Sequence, residues 1–476
     1  MFGFGLNQRG AETTVGSNSS RKINDVEASK NVAKTPLKSW RRVGRRFLSS
    51  RWASRFADGF IWLTVASIAA RVGALISMVL VARILGNVVY GEFCLIRSAV
   101  NGFVVLASFG MGRTATKYVA ELAATDKARV GRIVALNYVF SFISSVVVAV
   151  FFCLLAPTFY SEIPNASRLV SQTRLSSILL ILSAVVSAQA GVMSGFKAFR
   201  GLAVATAASG LGSIPFFVLG ARWGGLTGAV LGFASGAFLN YLINGCFIYF
   251  QLKKFGIRYR FDEFWEERSI LWNFCLPQTL TSVTTGMAGT VASIILASQD
   301  NGIAEVAIFE SARQIQTSVL YLPNIATQAL LPTLAEFNAL KDRRRYLNVL
   351  KCNVLLNVVL AVVTAAAASV LAPWAMRAFG EGFEGGASTL ILLLGVGVIL
   401  SVCNVCASAL TSLGAVWNAF FLNAIWGTVF LLGVWRATNA GAGAFGVAVA
   451  SLIAYCVYLV CCVGFIRRRL RDRTQE

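Results

Sequence analysis

Residues 132–156 read RIVALNYVFSFISSVVVAVFFCLLA, and after Arg132 the stretch holds no charged residue. Hydrocarbon offers no partner for backbone N–H and C=O groups, so an uncharged apolar run of this length is a helix that crosses a bilayer. At about 20 apolar residues per crossing, further spans fall near 59–84, 91–110, 175–196, 201–221 and 225–252. Six more follow near 271–298, 306–334, 352–371, 387–411, 416–435 and 442–466. The expected fold is all-α, a polytopic membrane protein of about twelve transmembrane helices.

Composition agrees with that reading. The 476 residues are 56% hydrophobic and 13% charged, with a mean hydropathy of +0.68. A soluble chain is nearer half apolar and a quarter charged, and would lack the polar surface to cover so much apolar mass. With no histidine in the chain, Ser-His-Asp and Cys-His nucleophiles, His-bearing zinc sites and HExxH proteases are excluded. No GxxxxGK[ST] occurs, so there is no P-loop. The ten cysteines lie in apolar stretches or at their margins; Cys403 and Cys406 form a CxxC whose packing reading outweighs a metal site, since no second pair accompanies it.

The formal charge of +22 points to basic loops beside an anionic leaflet rather than to nucleic acid. With the N-terminus inside, 34 Lys and Arg fall on the cytoplasmic side and 5 outside. That asymmetry sets both termini in the cytoplasm and favours an even span count. The domains expected are a basic cytoplasmic tail over 1–58, a six-helix lobe over 59–252, a cytoplasmic linker over 253–270, a second six-helix lobe over 271–466, and a cytoplasmic tail over 467–476. Trp40, Val43, Phe47 and Leu48 face away from Arg41, Arg42, Arg45 and Arg46, the pattern of an interfacial helix. A disordered basic tail and a transit peptide are the alternatives. The mixed charges of the linker read as a solvated connector.

The two blocks repeat. Phe93-Cys-Leu-Ile-Arg97-Ser-Ala-Val-Asn101 precedes Phe309-Glu-Ser-Ala-Arg313-Gln-Ile-Gln-Thr317 by 216 residues, Gly210 precedes Gly427 by 217, and Gly225-x-x-Gly228 precedes Gly443-x-x-Gly446 by 218. An internal duplication with an even number of spans relates the lobes by an axis along the membrane normal, so two pseudo-symmetric lobes should flank a central cleft.

Polar side chains in a span must face water or protein. Such stripes occur on span 1 (Thr64, Ser67, Arg71), span 2 (Arg97, Asn101, Ser108), span 7 (Gln278, Ser282, Thr285) and span 8 (Glu310, Arg313 or Gln314, Thr317, Tyr321, Asn324, Gln328). These four helices are expected to line the cleft. Arg71 lies roughly 18 Å from either end of its span at about 1.5 Å per residue, out of reach of a head group, and must meet water, an acid or an anionic ligand. Arg97 and Arg313 should face each other across the pseudo-twofold. Glu310 is the one carboxylate well inside a span, read either as the i,i+3 partner of Arg313 or as the carrier of a coupling proton or sodium ion. Three arginines against one acid favour phosphate or pyrophosphate, whose oxygens accept paired guanidinium donors. The expected substrate contacts are Arg71, Arg97, Arg313, Asn101, Gln314 and Asn324. Pro277, Pro323 and Pro332 are read as hinges or static kinks.

Val79-Leu-Val-Ala-Arg83-Ile-Leu-Gly86, with Tyr90-Gly91-Glu92-Phe93 and Phe109-Gly110-Met111-Gly112, resembles the opening of Wzx-type polysaccharide flippases of the multidrug/oligosaccharidyl-lipid/polysaccharide (MOP) superfamily. The resemblance covers about residues 59 to 466. It implies a two-lobed transporter of the bacterial inner membrane, without cofactor, that moves an undecaprenyl-pyrophosphate-type lipid-linked oligosaccharide between leaflets by alternating access. Bilayer lipids, a polysaccharide polymerase and chain-length proteins are the implied partners. Arg83 matches the family's pattern at a helix end, where a structural role is expected. The second repeat departs from it, with Gln299-Asp300-Asn301 in place of ARILG, and no MurJ-like arginine-rich signature is found. A multidrug antiporter is disfavoured by the lack of acids in spans 3–6 and 9–12. A membrane polymerase or ligase is disfavoured by short outside loops, the longest being 157–174 with Glu162 as its acid. A scaffold for glycan assembly is the remaining alternative, weakened by the polar cleft.

Overall fold

The computed structural model describes residues 51–123, 125–161, 163, 167–261, 263–325, 327, 343–412 and 416–472. The expected interfacial helix around Trp40, as well as Gln328 and Pro332, lies outside the described residues. Helices follow one another along the chain: α1 (Arg51–Ser108), α2 (Met111–Leu122), α3 (Lys127–Phe159), α4 (Ser167–Leu175), α5 (Ser177–Gly195) and α6 (Phe199–Phe255), then α7 (Leu276–Ala297), α8 (Gly302–Val319), α9 (Arg343–Arg377), α10 (Ala387–Ser412), α11 (Val416–Asn439) and α12 (Gly443–Asp472).

Eight helical stretches among the described residues are long and apolar enough to cross a membrane. Two of them are double. Helix α1 breaks at Gly86 (φ 75°) and α6 at Gly225 (φ 54°), where the chain reverses between spans read from the sequence as separate. With each of those counted as two, the shorter apolar stretch Ser282–Ala297 and the more polar α8 bring the count among the described residues to twelve, the number expected.

The repeat is visible in the backbone. Gly225 and Gly443, matched in sequence, have φ of 54° and 52°, a left-handed turn that glycine enters without a Cβ penalty. Gly86 is answered by Asn301 at φ 59°, the non-glycine type that tolerates this region best. The ARILG motif is therefore lost in the second half while its turn is kept.

Helices α2 and α4 lie between the expected spans, where the sequence shows no apolar run long enough to cross a bilayer. Helix α2 is amphipathic: Met111, Thr114, Ala115 and Val119 are buried, Thr116 Oγ1 donates to Gly191 O on α5 at 3.1 Å, and Arg113, Lys117 and Glu121 fall on other faces. The linker also differs from a solvated connector. Its turn Phe264–Arg268 docks on α3, where the buried Glu267 accepts Arg129 Nε at 2.9 Å and Nη2 at 3.1 Å, and Glu263 accepts Arg132 Nη1 at 3.2 Å. Charges of opposite sign stand on the two elements, so the connector is pinned. Leu271–Cys275 is a π-helical turn that runs into α7, whose first turn holds Pro277, where a missing N–H costs no helical hydrogen bond.

At the end of the bundle that carries Gly86, the two halves meet. Tyr90 and Phe93 are buried with Phe379 and Phe383, the Tyr90 ring lying 6.3 Å and 6.0 Å from those two rings. Arg83 Nε donates to Ala378 O just past α9 at 2.6 Å, a structural role at a helix end belonging to the other half. Deeper, Thr290 Oγ1 on α7 donates to Ser98 O at 2.8 Å, and Ser98 and Ser293 hydroxyls bond at 3.1 Å. A Cβ on Gly91 would run into the Ile303 carbonyl. Small residues thus let the second arm of α1 lie against α7 and α8.

Candidate functional site

Below that closed end, the polar stripes of α1 and α8 meet at the seam between the halves. Glu310 is almost fully buried, with 2% of its side chain exposed. Arg313, one turn on, donates to Glu310 Oε2 through Nη2 at 2.7 Å and Nε at 3.2 Å, which is the i,i+3 pair expected. Arg97 arrives from the other half. Its Nη2 stands 3.7 Å from the same Oε2 and donates to Gln314 Oε1 at 3.3 Å, while Nη1 lies 2.9 Å from Met78 Sδ. Arg97 and Arg313 do face each other, with the carboxylate between them.

Two guanidiniums share one carboxylate, so the cluster carries a net positive charge. Arg97 is 8% exposed and Arg313 40%; the first is a buried half of an ion pair and the second presents its outer edge to the cleft. Arg97 Nε has no partner among the described residues. A buried, under-satisfied donor next to an exposed guanidinium is an arrangement that accepts further anionic oxygen.

Arg71 meets a partner that the sequence reading did not weigh. Its guanidinium carbon lies 4.1 Å from the centroid of the Tyr321 ring, and among the described residues no carboxylate reaches it. A cation over a ring face keeps its hydrogen-bonding edges free. Asn101 and Thr317, each one turn from its arginine, are exposed, as is Thr285 on α7. Asn324 is tied within the second half, accepting from Asn404 Nδ2 at 2.9 Å, and Gln314 is spent on Arg97. The structure therefore gathers Arg71, Arg97, Glu310, Arg313 and Gln314 along the seam and sets Asn324 against α10. Met78 and Asn404 were missed, since a thioether in an apolar run and an amide in a distant span give no signal of whom they touch.

A second polar cluster lies inside the first half. Asn137 Nδ2 donates to Ala188 O at 3.2 Å and Asn244 Nδ2 to Asn240 Oδ1 at 2.9 Å, while the side-chain oxygens of Asn137, Gln189 and Asn244 are buried without a protein partner. It carries no charge, in contrast to the seam.

Residues 56–338 match the family described as "Polysaccharide biosynthesis protein". No curated protein sequence matches the chain. Among solved structures, the lipid II flippase MurJ in its inward closed conformation is 13% identical, with a TM-score of 0.68, covering 86% of this chain and 87% of that one. An inward-facing multidrug resistance MATE family transporter of the MOP superfamily is 14% identical at a TM-score of 0.67, covering 87% and 99%. A MOP superfamily transporter from Pyrococcus furiosus, described as having a binding pocket of reverse polarity, is 13% identical at a TM-score of 0.61, covering 87% and 95%. The fold is the one shared by these transporters.

Proposed function

The chain belongs to the polysaccharide biosynthesis protein family, and from that premise we propose that it is a flippase that moves a lipid-pyrophosphate-linked oligosaccharide across the bacterial inner membrane by alternating access. The observation that carries this reading is the net positive seam, in which Arg97 and Arg313 share a single carboxylate and Arg71, over the Tyr321 ring, has none, between two halves joined at one end. A pyrophosphate group fits donors of this kind, because each guanidinium offers two parallel N–H groups. Helices of the first half approach it on one side and helices of the second half on the other, so rocking of the lobes 59–252 and 271–466 would expose it to each leaflet in turn.

By the basic-residue tally, the Gly86 end faces outside and the pinned linker faces the cytoplasm, with both termini. Reporter fusions after Arg268 and Arg469 should then report cytoplasm and one at Asn165 the outside; an external signal at Arg268 would break the two-times-six arrangement. The substrate is of the undecaprenyl pyrophosphate type, and no step of bond-making is assigned to the chain. A proton or sodium ion is the candidate for coupling at Glu310, and a polymerase and chain-length proteins are candidate partners.

The deciding assay reconstitutes the full chain in vesicles with a fluorescent lipid-linked oligosaccharide and counts leaflet exchange. Exchange should require Arg71 and Arg313. Arg71→Lys should rescue in part, since an ammonium retains charge and loses the fork. Polymerisation of the sugar in the same vesicles would support a membrane polymerase instead, and exchange of hydrophobic cations in its place would support a drug antiporter. Glu310→Gln tests coupling: if it abolishes gradient-driven exchange while exchange down the substrate gradient persists, Glu310 carries the ion. Recovery by the Glu310→Gln/Arg313→Gln double variant would make it a partner only.

A further inference from the structure

At the Gly86 end, outside the arginine seam, a crevice of about 410 Å³ opens between the halves. Thr158, Phe159 and Ser161 at the end of α3 form one wall; Ser298 and Gln299 after α7 and Trp435 and Asn439 at the end of α11 form the other. None of the described lining residues is charged. Helices α3, α7 and α11 all terminate here, so their last carbonyls rim the site with partial negative charge. Phosphate is disfavoured by such a rim, and hydroxyl donors are favoured.

The hydroxyls of Thr158, Ser161 and Ser298 donate to Leu155 O at 2.7 Å, Thr158 O at 3.1 Å and Ile295 O at 2.9 Å. Their protons are committed and their lone pairs are left to accept. Gln299 and Asn439 have no side-chain partner among the described residues, and each offers both a donor and an acceptor. Trp435, 54% exposed, adds a flat apolar face. Neutral donors and acceptors around an aromatic plane, in a cavity of small-molecule size, match a polyol ring with hydroxyls at its edge and C–H groups on its face.

We propose that this crevice binds one uncharged pyranose unit of the transported glycan at the Gly86 end. The inference rests on the flippase reading for the source of the sugar, and on the crevice alone for its chemistry. Because both halves build the walls, occupancy favours the arrangement in which they meet.

The test uses the full chain in an amphipol free of sugar head groups, with lactose as the neutral probe, glucose 1-phosphate as the charged one and inorganic pyrophosphate as the probe of the seam. Lactose should bind, and Gln299→Ala/Asn439→Ala should weaken it about thirtyfold, the loss of two ordinary hydrogen bonds. Trp435→Leu should weaken it while leaving the apo melting temperature unchanged, and pyrophosphate binding should be untouched by either variant. Unchanged lactose affinity in both variants, or tighter binding of glucose 1-phosphate than of lactose, would overturn the proposal. Loss of pyrophosphate binding in Arg313→Gln with lactose binding intact is expected; absence of pyrophosphate binding in the unaltered chain would count against the flippase reading and leave the crevice standing. The source is settled by export in cells: the Gln299→Ala/Asn439→Ala variant should slow it severalfold, and unchanged export with lost lactose binding would assign the site to a resident neutral glycolipid and sink the cargo assignment.

Discussion

The matched segments Phe93–Asn101 and Phe309–Thr317 meet at the seam and carry their arginines at equivalent places, yet they differ in charge at one position. Where the first has Cys94, the second has Glu310, both buried. A symmetric pair with two acids would be neutral, and one with none would confront two buried cations. One acid holds the halves together at Oε2 and leaves an unsatisfied positive charge. A duplicated frame therefore gains a polar centre by breaking its symmetry at a single residue. The same asymmetry recurs nearby: Gly91 is matched by Ala307, and Arg71 on the first span is matched by α7, which holds no charged residue.

The largest expected effect strikes that difference directly. Glu310→Ala leaves the buried Arg97, and Arg313 beside it, without their shared anion and should destabilise the protein by about 3–5 kcal/mol, whereas Cys94→Ala should cost about 1 kcal/mol. Melting temperatures in detergent compare the two, and equal losses would deny the carboxylate its special weight. Next comes the glycine. Gly91→Ala forces a methyl group against the Ile303 carbonyl and should disfavour the closed Gly86 end by about 1–3 kcal/mol. Maleimide labelling of an Asn87→Cys probe, in a background without other reactive thiols, should rise; Ala307→Gly should not raise it.

Smaller effects test the cation and the linker. Tyr321→Leu removes the ring beneath Arg71 and should lower stability by about 0.5–2 kcal/mol, with Tyr321→Phe near wild type. Equal losses in the two would point to the hydroxyl instead. Arg71→Ala should leave the apo melting temperature close to that of Tyr321→Leu while export collapses; a destabilised protein that still exports per folded molecule would remove Arg71 from substrate binding. The smallest effect is electrostatic. Arg260, and after it Arg132, hold Glu263 below its usual value of 4.5. A lowered folded-state pKa contributes stability above 4.5 that is lost as pH falls through the lowered value. Hydrogen exchange in Phe264–Arg268, corrected for intrinsic rates, should therefore quicken in acid, and Glu263→Gln should abolish the change. Unaltered protection would assign the docking to Glu267 and Arg129.

Much of the fold could be read from residue order. Long uncharged runs mark spans because hydrocarbon tolerates few alternatives, and the breaks at Gly86 and Gly225 fall where those runs are interrupted. Helix α2 gives little signal in the sequence because its apolar run is short and its face is completed by α3, α5 and the Leu271–Cys275 turn. The linker glutamates read as solvated because Arg129 and Arg132, more than 130 residues earlier in the chain, reveal their proximity only on folding.

The candidate site divides in the same way. Arg71, Arg97, Glu310 and Arg313 stood out in the sequence because ionised groups inside spans are costly and must be answered, and the i,i+3 spacing alone joined Glu310 to Arg313. Their apportionment belonged to the tertiary structure. Helical geometry cannot say that Arg97 reaches across to the same Oε2, that Tyr321 lies under Arg71, or that Asn324 is taken by Asn404. Solvation and periodicity are local properties that a chain carries in its order of residues, so spans, repeat and the need for partners were determined there. Which partner answers which charge depends on how two helices from different halves approach, and only packing decides that.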